Sequence, residues 1–437
     1  MTSAPSNPDG LPQAAPVAQA FAQEQRRPTR TPQFEKRLAK RYRSERNFRL
    51  LGLSAVVFSV AVLIFLLGNM FINGIAGFQR AEMPVTIDFV EAGVEGDEVS
   101  LAAPSALQTL ELGGLPDVVE FYAGEQLGEE AARELSPDAW RDVAAALISD
   151  PALIAGKRTF QLAATSNLAG GLSGEGSPEM QALAARLSGE GKLAKNWDWG
   201  FLTRSDATSP QAVGIWGALK GSILTMLVTL VLAFPVGVLS ALYLEEYAPK
   251  NRWTDIIEVS INNLAAVPSI IFGLLGLAVF LAVFPGMRSA PLIGGMTLAL
   301  MTMPVIVISG RNAIKAVPPS IRDGALAVGA SQVQVVFHHV LPLALPGMLT
   351  GTIIGMARAL GETAPLLMIG MRAFVATPPE SFASPATVLP VQIFLWSDEV
   401  NRGFVERTSA AIIVLLAFLL LMNGLAIYLR NKFEKSW

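Results

Sequence analysis

Long apolar segments separated by polar ones dominate the pattern of this chain. The first apolar run, Leu50–Asn73, has about 24 residues and no charge, and about 20 helical residues cross the hydrocarbon core of a bilayer. A cleaved signal peptide is the alternative, but the run is too long and lies too far from Met1. Further apolar runs cover residues 214–244, 255–284, 290–310, 346–370 and 409–429. The pattern therefore predicts six membrane-spanning helices, the first over residues 50–76.

A long polar segment, residues 77–210, separates the first predicted span from the other five. Acidic side chains are frequent in it, among them Glu95, Asp97, Glu98, Glu125, Glu129, Glu130 and Glu134. It also holds apolar stretches such as Val118–Phe121 and Val143–Ile148, together with stretches of mixed or helical patterning. This mixture predicts a small folded α+β domain inserted after the first span, followed by a five-helix core over residues 211–437.

The charges next to the predicted spans indicate the orientation of the chain. Residues 1–33 are rich in Ala, Pro, Gln and Ser, and residues 34–49 are strongly basic, so residues 1–49 are predicted to form a disordered basic tail. Since Lys and Arg favour the cytoplasmic side, the N-terminus is expected in the cytoplasm. Alternation then places residues 77–210 outside the cytoplasm and the C-terminus inside it.

Composition excludes several classes of function. Of the 437 residues, 51% are hydrophobic and only 16% are charged, and there is no cysteine, which excludes disulfides, thiol catalysis and cysteine metal sites. The two histidines, His338 and His339, are adjacent and too few for a metal site. The chain has no G-x4-G-K-[ST] pattern for ATP. We expect no catalytic residue, cofactor or metal on this chain, and we interpret the basic tail as attracted to anionic lipid rather than nucleic acid.

The segment between the fourth and fifth predicted spans carries the strongest signal. Pro318 and Pro319 are expected to break one helix and start another, with Ser320 as its cap and Asp323 in its first turn. One side of this helix is apolar, and its members are Ile321, Ala325, Val328, Val333 and Val336. Pro342 and Pro346 are expected to end it. The pattern predicts a short amphipathic cytoplasmic helix near 318–340, which either fills a groove in a partner or lies on the bilayer.

This segment resembles the E-A-A-x3-G-x9-I-x-L-P loop of ABC importer permeases. The matching positions are Asp323, Gly324, Ala325, Gly329, Leu341 and Pro342. Asp for Glu, Gly for Ala and His339 for an apolar residue depart from the pattern, while its spacing is intact. The resemblance implies that these residues form a coupling helix that docks on a separate ATPase subunit.

Four more segments resemble the A-type permease of phosphate-specific ABC transporters, in an extended proteobacterial variant. They are GETAPLL at 361–367, NLAAVPSIIFGLLGL at 263–277, LEEYAPKN at 244–251 and LPVQIF at 389–394, and the C-terminal NGLAIYLRNKFEK also fits. The resemblance covers about residues 210–435. It implies an all-α membrane protein with the six-helix type I ABC importer permease fold, in the bacterial inner membrane.

The same resemblance implies the partners of the chain. They are a homologous C-type permease, an ATPase dimer that binds ATP and Mg, and a soluble phosphate-binding protein. A permease of the same fold for molybdate, tungstate or sulfate remains the main alternative. A membrane-anchored sensor with residues 77–210 as its input domain is a second alternative, although one span would suffice for it.

Charged and polar residues inside the predicted spans are candidates for the transport path. Arg358 and Glu362 are four residues apart and share one helical face, and Thr363 adds a hydroxyl. An ion pair that stabilises helix packing is the alternative to an anion site, and a pair with both roles is compatible with the sequence. Asn263 and Pro268 lie in the third predicted span, where Pro268 is expected to kink the helix.

Overall fold

The structure is a computed structural model that describes residues 32–94, 101, 106–371, 374–401 and 403–433. The disorder predicted for residues 1–31 lies outside the described residues, as do the acidic positions at 95–98. The chain divides into two compact units, one up to Asn69 and one from Met70 onward.

Helix α1 extends from Pro32 to Ala76 over 45 residues. Residues 50–67 are exposed along its whole apolar part. The helix also includes residues 32–49, so our prediction of disorder is wrong for this part of the tail. Proline is favoured in the first turn of a helix, and the Lys, Arg, Glu and Leu residues that follow Pro32 favour helix as well.

The insert domain, residues 79–202, is a small α+β domain, as predicted. Among the described residues it has one antiparallel sheet in the order β2-β1-β3, formed by β1 Gln79–Asp88, β2 Lys157–Ala163 and β3 Ala194–Trp197. Its helices are α2 Ala106–Leu112, α3 Leu115–Leu127, α4 Glu129–Ala132, α5 Ala139–Ser149, α6 Ser166–Leu172 and α7 Pro178–Gly189.

Strand β1 supplies the centre of the insert core. Met83, Val85 and Ile87 are fully buried, because alternate side chains of a strand point to the same face. Apolar side chains of α3 and α5 belong to the same cluster, including Val119 and Val143. Sheet and helices therefore share one hydrophobic core, which is sufficient for an independently folded domain.

One buried arginine fixes the insert domain to the membrane core. Arg407 is 4% exposed, and its Nη2 donates to the Asp198 carboxylate at 2.7 Å. Its Nε and Nη1 donate to the carbonyls of Pro210 and Gly77 at 2.9 and 2.7 Å. Arg204 also donates to both carboxylate oxygens of Asp198. Because the carbonyls of Gly77 and Pro210 accept from one guanidinium, the two connections between the insert domain and the membrane core lie side by side.

The membrane core follows the insert domain. Its helices are α8 Trp216–Leu242, α9 Arg252–Ala265, α10 Ser269–Leu275, α11 Leu281–Val283, α12 Pro291–Lys315, α13 Pro319–Ala327, α14 Gln332–Gln334, α15 Leu341–Leu360, α16 Ala364–Met368, α17 Leu389–Ser397 and α18 Gly403–Phe433. Turns of π-helix cover Tyr243–Tyr247, Gly276–Phe280 and Val335–Val340.

The described residues contain five helices that are long and apolar enough to cross a membrane, or six if a bent pair counts as one span. The five include α1, α8, α12 and α18, and the last is α15 together with the two short helical stretches before it. The predicted fold class, an all-α membrane protein with a small α+β insert, is confirmed.

The bent pair stands where the third span was predicted. Helices α9 and α10 are separated by residues 266–268 and bend by 104°, so Pro268 lies in a break between two helices rather than kinking a continuous one. Pro268 precedes the first residue of α10 and adopts an extended ψ of 136°. In α9, Glu258 pairs with Arg311, one turn from the end of α12. Beyond the break, Gly276 lies against Thr297, less than two turns from the start of α12. The pair therefore contacts α12 near both of its ends, and we call it the broken span.

Helices α12 and α15 approach each other through small residues. Gly347, Gly351 and Gly355 follow a four-residue spacing, and Cβ atoms added there would lie 2.6 Å from Ala313, 2.2 Å from the Ser309 Cβ and 2.8 Å from Thr302. Small residues at this spacing allow two membrane helices to pack closely without a cost from large side chains.

Candidate functional site

Helix α13 exposes part of the predicted docking motif. It begins at Pro319 and has no side-chain cap, so the prediction that Ser320 caps it is wrong. Asp323, Gly324 and Gly329 are exposed, and Gly329 has a φ of +89°, which glycine adopts easily. Ala325 points inward at 7% exposure. Of the three motif residues Asp323, Ala325 and Gly329, only the first and last present a surface to a partner.

The rest of this segment differs from the prediction. Val328 and Val333 are 85% and 56% exposed instead of sharing a buried side with Val336, because α13 ends at Ala327 and the chain turns at Gly329. Pro342 and Pro346 do not end the helix: α15 includes both. A π-helical turn at 335–340 precedes Pro342. Pro342 has no backbone N–H and removes one α-helical hydrogen bond, but the helix continues through it. Leu341 and Pro342 are partly buried at its start.

A network of ion pairs, which we did not predict from the sequence, surrounds the ends of the helices next to α13. Its members are Glu245, Glu246, Glu258, Arg311, Lys315 and Arg322, and we call it the arginine–glutamate network. Arg311 donates to Glu245 at 2.5 Å and to Glu258 at 2.7 Å. Arg322 donates to Glu246 at 2.8 Å, and Lys315 lies 3.4 Å from Glu245. The only signal in the sequence was the pair of acidic residues in LEEYAPKN.

The structure places Arg358 in the last turn of α15 and Glu362 and Thr363 just beyond its end. The predicted span over residues 346–370 is therefore too long. Gly361 follows the last residue of α15, and Pro365 lies in the first turn of the next helix, α16, where proline is favoured. Arg358 Nε donates to Glu362 Oε1 at 3.4 Å, and its side chain is 51% exposed. Beside it, Ile354 is 61% exposed, so this face of α15 is open.

Two of the phosphate-permease-like segments, GETAPLL and NLAAVPSIIFGLLGL, are in contact. Helix α16 of the GETAPLL segment packs on α10 of the broken span, and a Cβ added to Gly273 would lie 2.6 Å from the Cα of Pro365. Glycine is therefore required at 273 for this close approach. Asn263 and Pro268 are exposed at the break of the span. The contact joins the broken span to the chain directly after Arg358.

Two other predicted features have a different setting. LPVQIF lies in α17, a helix whose Leu389, Val391 and Gln392 are buried. His338 and His339 are both exposed. Within the described residues, no group of three or more acidic or histidine side chains is arranged to hold a metal ion.

The apolar helices define a multi-pass membrane protein, and a family model identifies its class. A model described as "Binding-protein-dependent transport system inner membrane component" matches residues 233–435. A second model, described as a domain of unknown function (DUF3333), matches residues 35–182, which cover α1 and most of the insert domain.

Curated relatives agree with this class. "Probable ABC transporter permease protein YqgI" of Bacillus subtilis is 30% identical over 44% of this chain and 69% of its own length. "Phosphate transport system permease protein PstA 1" of Mycobacterium tuberculosis is 31% identical over 39% of this chain, which spans 56% of that relative. The PstA protein of Haemophilus influenzae is 29% identical over 51% of this chain and 78% of its own.

A solved structure of the MetNI methionine ABC transporter in inward-facing conformations aligns with 51% of this chain and 95% of its own, at 19% identity and a TM-score of 0.38. From the sequence relatives, the chain belongs to the family of ABC transporter permeases. The predicted membership of this family is confirmed.

Proposed function

We propose that this chain is the A-type permease of an ATP-driven importer of inorganic phosphate. Relatives from M. tuberculosis and H. influenzae are named phosphate transport system permeases. The observation that carries the proposal is the position of Arg358, exposed at the end of α15 and followed directly by the GETAPLL segment on the broken span. An arginine at a helix break in the membrane core is suited to an anion path.

The chemistry of Arg358 matches an oxyanion. A guanidinium donates two parallel hydrogen bonds to phosphate oxygens in a fixed planar geometry. Its contact with Glu362 is 3.4 Å long, beyond the distance of about 2.7–3.2 Å for a strong hydrogen bond. A weak contact of this kind holds the side chain in place and leaves donors available. Glu362 would also limit how long the anion stays, since a permeation site must release its ion.

The break between α9 and α10 is suited to a gate. Irregular backbone at membrane depth occurs where it lines a cavity, and broken helices form many transporter sites. Asn263 and Pro268 border this break and are exposed. We assign them to the gate, with Thr363 as a further hydroxyl donor beside Arg358.

The partners follow from the proposed role. The exposed surface of α13, with Asp323, Gly324 and Gly329, would dock on an ATPase dimer in the cytoplasm, and ATP and Mg would be bound by that dimer. The open face of α15 would meet a homologous C-type permease. A soluble phosphate-binding protein would deliver the anion on the other side of the inner membrane, where the insert domain lies if both termini are cytoplasmic.

The proposal is tested with the whole complex in vesicles. ATP-driven phosphate uptake is measured for Arg358→Ala, Arg358→Lys and, as a matched control, Arg252→Ala, an exposed arginine at the start of α9. A charge-assisted hydrogen bond contributes about 1.5–3 kcal/mol, so uptake should fall about 10- to 100-fold for Arg358→Ala. Lysine should restore only part of it. If the Arg358→Ala complex fails to assemble, Arg358 is structural; if it transports normally, the path lies elsewhere.

Permeases of the same fold for molybdate, tungstate or sulfate remain the second candidate function. Arg358 suits each of these anions, because all are tetrahedral oxyanions. Uptake of the anions by the same vesicles separates the candidates. A sensor is less well supported, since it has no use for the broken span or the exposed α13 surface.

A further inference from the structure

Helix α13 is held in place mainly by polar contacts. Ala325 is its only buried residue, and a Cβ added to Gly324 would meet no atom within 4 Å. Ile321 is partly buried against the same cluster, so two side chains supply the apolar packing of this nine-residue helix. Its hydrogen bonds and ion pairs add to these few apolar contacts in fixing its position.

Arg322 makes those contacts. Its Nε and Nη2 donate to Glu246 Oε1 at 3.2 and 2.8 Å. Its Nη1 and Nη2 also donate to the carbonyls of Val317 and Ile314, at 2.8 and 3.0 Å. One guanidinium thus joins α13 to the end of α12 and to the π-helical turn that follows α8. Gln332, after α13, donates to the Glu246 carbonyl at 3.2 Å.

The second half of the network joins the same two helix ends to the broken span. Arg311 of α12 donates to Glu245, next to Glu246, and to Glu258 of α9. The side chains of Arg311, Glu245 and Glu246 are only 11–13% exposed. Ion pairs shielded from water to this degree are screened less by salt than surface pairs are. Removing one partner leaves a charge that lacks both water and a counter-charge.

We propose that the arginine–glutamate network is the linkage that transfers movement of α13 to α8, α12 and the broken span, and that Arg322 and Glu246 are its central positioning residues. This inference rests on the proposed function, in which α13 docks on the ATPase. Without the Arg322–Glu246 pair, α13 moves with the ATPase but no longer carries the membrane helices with it. Hydrolysis then continues while transport falls.

The first test is the ratio of anion transported to ATP hydrolysed by the reconstituted complex. Arg322→Ala and Glu246→Ala should keep ATP hydrolysis and lower this ratio about tenfold, within the usual range for coupling between two sites. The exchanged pair, Arg322→Glu with Glu246→Arg, should recover part of it. Arg252→Ala, outside the network, should leave the ratio unchanged. A wild-type ratio in both alanine variants overturns the proposal.

The second test does not depend on which anion is carried. The chain has no cysteine, so Ser320→Cys and Leu239→Cys allow spin labels on α13 and α8, both at exposed positions. The distance between the labels should stay constant on ATP binding in the wild-type background and change with Arg322→Ala. A distance that is constant in both, in complexes that assemble with the ATPase, overturns the linkage. If the wild-type complex transports no anion, the proposed function is contradicted. The distance between the two labels still tests the linkage in that case.

Discussion

At the scale of single residues, Arg407 shows how a charge is used where the membrane core meets the insert domain. It is buried, stacks over the ring of Phe201 at 5.1 Å, and uses three nitrogens on two carbonyls and a carboxylate. The partner residues lie 197–330 positions away, so no local pattern predicts them.

Replacing Asp198 should destabilise the protein strongly. Asp198→Asn removes the negative charge between Arg407 and Arg204, and breaking a buried ion pair costs about 3–5 kcal/mol. The free energy of unfolding in detergent measures this. The matched control is Glu190→Gln in the exposed pair with Lys192, which should change stability by less than about 1 kcal/mol. Equal effects of the two substitutions would contradict the role given to Asp198.

The same residue should give the fold a dependence on acid. Burial opposes ionisation of Asp198, but Arg407 and Arg204 outweigh it and hold the pKa of this carboxyl below its usual range. Stability from the lowered pKa is present above the unfolded value of about 3.9 and is lost as the pH falls through the folded pKa. The stability difference between wild type and Asp198→Asn should therefore be constant from about pH 5 to pH 8 and shrink below about pH 4. A difference that grows on acidification would have the wrong sign.

At the scale of elements, the packing of α15 on α12 depends on the absence of side chains at its glycines. A Cβ at Gly351 would lie 2.2 Å from the Cβ of Ser309, which cannot rotate away. Gly351→Ala should thus lower stability by about 1–3 kcal/mol, the usual cost of overpacking. Gly424→Ala in α18 is the control, because nothing lies within 4 Å of its added Cβ. Thermal unfolding of both variants measures the effect, and a neutral Gly351→Ala would disprove the close packing.

The elements also show what the sequence predicts well. Runs of about 20 apolar residues indicate spans directly, and five of the six predicted spans are helices at their expected places. The broken span was harder to predict, because Pro268 signals a disturbance but not its size. The size of the bend, 104°, depends on how α9 and α10 pack against α12 and α16. The same holds for the arginine–glutamate network, whose arginine pairs join residues 53–76 positions apart.

At the scale of the whole molecule, the insert domain is a separate module on a transport core. Gly77 and Pro210, on either side of the insert domain, both accept a hydrogen bond from the Arg407 guanidinium. Because these two residues lie close together, a short Gly-Ser linker can replace residues 79–209. We expect this deletion, made with Arg407→Gln to avoid an unpaired charge, to reduce uptake driven by the binding protein or assembly with the second permease. Unchanged uptake and assembly would show that the insert domain contacts neither partner.

ATP-driven uptake by the complete wild-type complex in vesicles is the most direct test of whether this permease carries phosphate. Labelled phosphate, sulfate and molybdate are offered separately and in competition, with and without ATP. We expect ATP-dependent phosphate accumulation that excess sulfate or molybdate does not abolish. Uptake of sulfate or molybdate without phosphate would contradict the assigned substrate and leave the permease fold intact.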